Sequence, residues 1–149
     1  MKCANLLIDT EGKVKLSDFG ASKKLSALDV SLGEYKNKSI HGSPYWMAPE
    51  VVKHKTATKM SDIWSLGCCI IEMITGKPPW SEHGKDAQTI MNVIRKSKMP
   101  PSFPDNITHE CAHFLLMCLK VNPSKRPDCE TLLLHPFVSV HSEQRLKNE

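Results

Sequence analysis

The sequence predicts an α+β fold that is mainly helical, with one small β-hairpin near its start. Two observations carry this. Short apolar runs at residues 6–8 and 14–16 flank Thr10-Glu11-Gly12-Lys13, a turn-forming stretch. From residue 60 onward, apolar residues recur at three- and four-residue spacing between cap and breaker signals. The 149 residues leave room for one domain with a sizeable core. Hydrophobic residues at 40% and charged residues at 24% exclude a disordered or collagen-like chain. The net charge of +4 comes without a basic block, so no nucleic-acid partner is expected.

After the hairpin, residues 21–44 are rich in Ser, Lys, Gly and Asn and lack helical periodicity. A loop of that length in a compact domain is usually functional or disordered. Ile63, Leu66, Gly67, Ile70, Ile71 and Ile74 then predict a helix with Ser61 as N-cap, stopped by Gly76 and Pro78-Pro79. Being apolar on most sides, this helix should be central and buried. Ala87, Ile90, Met91 and Ile94 predict a more amphipathic helix capped by Asp86, followed by a loop at Pro100-Pro101 and Pro104. A third helix (Ala112, Leu115, Leu116, Leu119) starts at Thr108 and ends before Pro123. A short fourth runs from about Asp128 to Leu134, stopped by Pro136. No secretory leader is expected, since only a brief apolar stretch follows Met1-Lys2-Cys3-Ala4-Asn5, and no membrane span, since the apolar run Ile63 to Ile74 is too short and contains Glu72. The six cysteines form no CxxC pair and read as reduced thiols of an intracellular, cytoplasmic protein.

Asp18-Phe19-Gly20 directly after a strand, then a long polar loop, then Ala48-Pro49-Glu50, resembles the activation segment of eukaryotic Ser/Thr protein kinases. Lys2-Cys3-Ala4-Asn5 is similar to the second half of the kinase catalytic loop. Ser61-Asp62-Ile63-Trp64-Ser65-Leu66-Gly67 resembles the start of the buried kinase helix, and Arg126-Pro127 with His135-Pro136-Phe137 resembles the end of the domain. The motifs fall in family order over nearly the whole chain. The strings GSPYWMAPEVV and SDIWSLGCCIIEMITGKPPW point to the MAP kinase kinase kinase subgroup. The resemblance therefore implies the C-terminal lobe of a protein-kinase-like fold over residues 1–137, with 138–149 a polar tail.

Phosphoryl transfer leaves the protein little covalent work, so catalysis is positioning and charge stabilisation. By resemblance, Asp18 and the amide oxygen of Asn5 would hold Mg2+, which takes hard oxygen ligands. Lys2 would neutralise charge growing on the transferred group. Leu7 would floor the adenine pocket of ATP, with Ser17 beside it. Ser43 stands where Ser/Thr kinases usually have Thr, and its hydroxyl with Lys2 implies a Ser or Thr acceptor on a protein substrate, such as a MAP kinase kinase. Ser39, four residues earlier, matches the activating phosphosite of related kinases. Glu50 and Arg126 match a buried salt bridge of the family. Asp62 would accept hydrogen bonds from the catalytic-loop backbone.

His109-Glu110-Cys111-Ala112-His113 satisfies HExxH, the zinc-protease signature, in a predicted helix. The ordered kinase motifs outweigh it, and the segment is expected to be an ordinary helix.

A kinase also needs a glycine-rich loop, a strand lysine and a helix glutamate, and the 149 residues match none of these. If Lys2 and Asn5 hold their family positions, the catalytic Asp falls just before Met1. The chain alone is thus expected to be inactive without an N-terminal lobe in cis; the alternative is a truncated kinase acting as a non-catalytic binding module. The helix that packs on the central helix in the family is also unmatched, so Ile70, Ile71 and Ile74 are expected to form an exposed apolar face and leave the chain loosely folded.

Overall fold

A computed structural model describes residues 1–20, 35–36, 44–54 and 56–139. Strands β1 (Leu6–Ile8) and β2 (Val14–Leu16) pair antiparallel, with Leu6 opposite Leu16 and Ile8 opposite Val14. Asp9 organises their turn. Its Oδ1 accepts the backbone N–H of Glu11 at 3.0 Å and of Lys13 at 2.9 Å, while Gly12 takes the left-handed backbone (φ +77°) that favours glycine. A second two-stranded ladder joins β3 (Tyr35–Lys36) to β4 (Thr56–Ala57). It puts two residues of the stretch read as loop into a strand; most of residues 21–44 lies outside the described residues.

The rest is helical, and helix α1 (Pro49–His54) was not foreseen by the sequence reading. Helix α2 (Lys59–Thr75) is the centre of the molecule. Its N-cap is Thr58, not Ser61: the Thr58 hydroxyl accepts the Met60 N–H, and Ser61 Oγ accepts the Thr58 N–H at 3.1 Å in a capping box. At the other end Gly76, at φ +67°, donates its N–H to the Glu72 carbonyl. Ile63, Trp64, Cys68 and Ile71 point into the core. Ile71 is 2% exposed, so it does not belong to an open apolar face; Ile70 is half-buried, and the exposed positions are Met73 and Ile74. The reason is helical phase: Ile71 stands four residues after Gly67, on the stripe that meets the next helices.

Helix α3 (Ala87–Lys96) is capped by Asp86, whose Oδ2 accepts the Thr89 N–H at 2.7 Å, and it buries Ile90 and Ile94. Helix α4 (His109–Cys118) is capped by Thr108 and buries Cys111, Phe114, Leu115 and Cys118. Helix α5 (Cys129–Leu133) is capped by Asp128. Gly67 lets α2 and α4 approach closely, because a Cβ there would lie 2.9 Å from two Leu119 side-chain carbons. All six cysteines are free thiols. Among the described residues, no helix is long and apolar enough to cross a membrane.

Candidate functional site

The N-terminal candidate residues meet at the open end of the hairpin. Cys3–Asn5 form one 3-10 turn, closed by the Asn5 N–H on the Lys2 carbonyl at 3.0 Å. Ser17 grips the same turn twice, its backbone N–H and its hydroxyl both donating to the Asn5 carbonyl at 2.9 and 3.2 Å. That clasp continues the β1–β2 ladder by one residue and seats Asp18 next to the Lys2–Asn5 turn. Asp18 has φ +59°, a left-handed backbone that costs a non-glycine residue energy and that is found most often at functional sites. Its Oδ1 lies over Gly20, where a Cβ would come within 3.3 Å. Leu7 pairs across from Lys15 and is 54% exposed, as an open apolar platform on the hairpin. Phe19 is exposed too.

A second cluster anchors α1 to the helical body. Arg126 and Glu50 form a bidentate pair, Nη1 to Oε1 at 2.7 Å and Nη2 to Oε2 at 2.8 Å. The arginine side chain is fully buried and the glutamate 11% exposed. The remaining guanidinium hydrogens reach the carbonyls of Lys120 (2.8 Å), Met60 (2.7 Å) and Val121 (3.4 Å). All five donors of the guanidinium therefore have acceptors. Trp64 lies beneath it, ring centroid 5.1 Å from Cζ, and Ser61 adds a hydroxyl donor to Glu50 Oε1 at 2.9 Å.

Helix α2 also holds the loop ahead of α1. The Trp46 indole N–H donates to Glu72 Oε2 at 2.9 Å, and Ser65 Oγ donates to the Trp46 carbonyl at 2.9 Å. On the same helix the Cys3 thiol donates to the Cys69 carbonyl at 3.3 Å. Burial first, and then the Glu72 carboxylate, push the Cys3 thiol far above its ordinary value, so it stays protonated. Sequence reasoning missed Trp46, Glu72 and Cys3, and no periodicity or motif spacing marks their contacts.

Other candidates fall apart from these clusters. Ser39 and Ser43 lie outside the described residues. Asp62 keeps an exposed edge and accepts no hydrogen bond among the described residues. Burial raises its carboxyl above the ordinary value, against the opposing pull of the N-terminal ammonium. His109 and His113 share one face of α4 with parallel rings 6.4 Å apart, but His113 Nδ1 sits 2.8 Å from His135 Nε2. Among the described residues no three His, Cys, Asp or Glu side chains converge to hold a metal ion.

The protein kinase domain family matches residues 1–138. The chain is 47% identical over 139 residues to mitogen-activated protein kinase kinase kinase 2 of Arabidopsis thaliana, covering 93% of this chain and 21% of that protein. It is 48% identical over 138 residues to mitogen-activated protein kinase kinase kinase A of Dictyostelium discoideum, covering 93% of this chain and 14% of that one. The chain thus spans about a fifth or less of the length of these relatives.

Proposed function

The chain belongs to the protein kinase domain family, and on that premise we propose that it is the helical part of a Ser/Thr kinase domain. The protein that carries it moves the γ-phosphate of ATP to a Ser or Thr of a protein substrate in a MAP kinase cascade. The observation that carries this reading is the double hydrogen bond from Ser17 to the Asn5 carbonyl, which seats Asp18 beside the Lys2–Asn5 turn. The names of the similar proteins support a MAP kinase kinase as substrate.

The Asn5 amide oxygen and the Asp18 carboxylate are hard oxygen donors, the kind Mg2+ takes, and these residues would hold it. Bound Mg2+ supplies neutralisation of phosphate charge. Lys2 binds the oxygens of the transferring phosphoryl group as a compact cation. Leu7 offers apolar surface to the adenine, with Ser17 at its edge. In the transfer, the substrate hydroxyl oxygen bonds to the γ-phosphorus and the bond from phosphorus to the bridging oxygen breaks. The hydroxyl proton leaves to a carboxylate base that is not among these 149 residues. Ser43 with Lys2 favours a Ser or Thr acceptor, and Ser39 is the activating phosphosite of this reading.

The test is transfer of labelled phosphate to a MAP kinase kinase by the complete protein. Removing the Asp18 charge by Asp18→Asn is expected to lower the rate at least about a hundredfold, as loss of a key charge-stabilising group does. Unchanged transfer by D18N would overturn the reading. The 149 residues alone are expected to show no transfer.

A further inference from the structure

The histidines of α4 and of the turn after α5 form a hydrogen-bonded chain whose direction is fixed. His135 Nδ1 accepts the backbone N–H of Phe137 at 3.1 Å, so that nitrogen carries a lone pair. The ring's hydrogen must then be on Nε2, which lies 2.8 Å from His113 Nδ1. His113 Nδ1 must in turn carry a lone pair, leaving its one hydrogen on Nε2. Each ring is neutral and each tautomer is determined. In these tautomers His113 Nε2, the nitrogen through which an HExxH histidine would meet a metal, carries the hydrogen.

We propose that His113 and His135 form a pH-sensitive clasp that holds residues 135–139 on α4, closed while both rings are neutral and opened by a proton. An added proton can enter only at Nδ1 of one ring or the other. At His113 it faces the N–H of His135, and at His135 it faces the N–H of Phe137. Either way a hydrogen bond of the chain is lost. His135 is 8% exposed, with the Phe114 ring edge-on at 5.3 Å, so the charge settles on the exposed His113.

The charged groups around the pair do not reverse this. His109, stacked on His113 from the preceding turn of α4, adds like charge when protonated. Glu110 on α4 interacts with His109 and His135. Asp128 and Glu130 line the same cavity as His113 and His135, and Asp128 is engaged by the Thr131 N–H at 2.9 Å. None of these carboxylates restores the lost acceptor at Nδ1. The backbone that the clasp holds carries the His135 carbonyl, which accepts from Val138 at 2.8 Å and Ser139 at 3.0 Å. It also carries the Phe137 ring, 5.1 Å from Phe114.

His113→Asn tests this, because Asn Oδ1 can stand where Nδ1 stands and accept from His135 without titrating. Exchange of the His135 Nε2 hydrogen, corrected for the intrinsic effect of pH, should accelerate about 10-fold from pH 7.5 to 5.5 in the wild-type chain, the value of roughly one hydrogen bond, because a proton on His113 Nδ1 removes its acceptor. In H113N it should stay flat. Equal pH dependence in both chains would overturn the clasp. A second measurement needs no variant: imidazole nitrogen shifts of the wild-type chain at pH 7.5 should report hydrogen on Nε2 of both rings, and hydrogen on Nδ1 of either would refute it.

Discussion

Arg126 offers the sharpest test of how α1 and the segment before it are held. Its side chain is fully buried and donates to both Glu50 oxygens and to three backbone carbonyls. Breaking a buried pair by removing one partner leaves the other charge uncompensated, which costs about 3–5 kcal/mol. Arg126→Ala is expected at the upper end, since it also strips the cation from the Trp64 face. Arg126→Lys keeps the charge but brings three donors where five acceptors wait, so at least two lose their partner. At about 1–1.5 kcal/mol for each bond, that is a loss of about 2–3 kcal/mol. Glu50→Gln keeps the shape and loses the charge, at about 3 kcal/mol. Against the ~5–15 kcal/mol that hold a domain together, these are large fractions. Urea unfolding followed by tryptophan fluorescence reads them as midpoints lowered by about 1–3 M. Raising the salt to 1 M should change the differences little, because a buried pair is weakly screened. R126K and E50Q each within about 0.5 kcal/mol of wild type, the range of ordinary surface substitutions, would refute the hub.

Three further outcomes follow from other contacts. Gly67→Ala puts a Cβ 2.9 Å from the Leu119 side chain, which is itself 1% exposed and has nowhere to move. Overpacking of about 1–3 kcal/mol should exceed the roughly 1 kcal/mol that Ala gains as a helix former, giving a net loss by thermal unfolding. Asp62 binds its proton more tightly folded than unfolded, so its ionisation opposes folding. Stability should therefore fall as pH rises from the ordinary carboxylate value upward, and Asp62→Asn should raise the melting temperature at pH 7 but not near pH 3. Of the six thiols only Cys129 is exposed, and burial pushes up Cys3, Cys68, Cys69, Cys111 and Cys118. A thiol-specific disulfide reagent at pH 8 should find one fast group, with the others released only on unfolding.

The helices were legible where a short polar side chain meets the first turn. Asp86, Thr108 and Asp128 were each read as starts, and each accepts the backbone N–H three residues on. Helix α1 was not legible, because six residues are too few to show a period. Ile71 was misplaced for a related reason: a helix that is apolar on most sides does not declare which face its neighbours cover. The Glu50–Arg126 contact spans 76 residues, a separation about which hydrophobic spacing carries no information. Only the family resemblance names those two residues together.

Ser61 carries a local and a distant signal at once, and each conceals the other. The apolar series counted from Ile63 makes Ser61, a cap-type residue just ahead of it, the helix start, although Met60 already stands on that stripe three residues before Ile63. With Thr58 as the cap, Ser61 becomes the third helical residue. There its oxygen accepts from the Thr58 N–H while its hydrogen goes to Glu50. One hydroxyl thus closes the first turn of α2 and supports the carboxylate that Arg126 holds. Ser61→Ala removes both contacts together. Its cost should exceed the roughly 1 kcal/mol of an ordinary lost cap, and the excess should vanish in an E50A background. A cost of cap size alone, unchanged in that background, would mean that the helix start and the Glu50 anchor are independent.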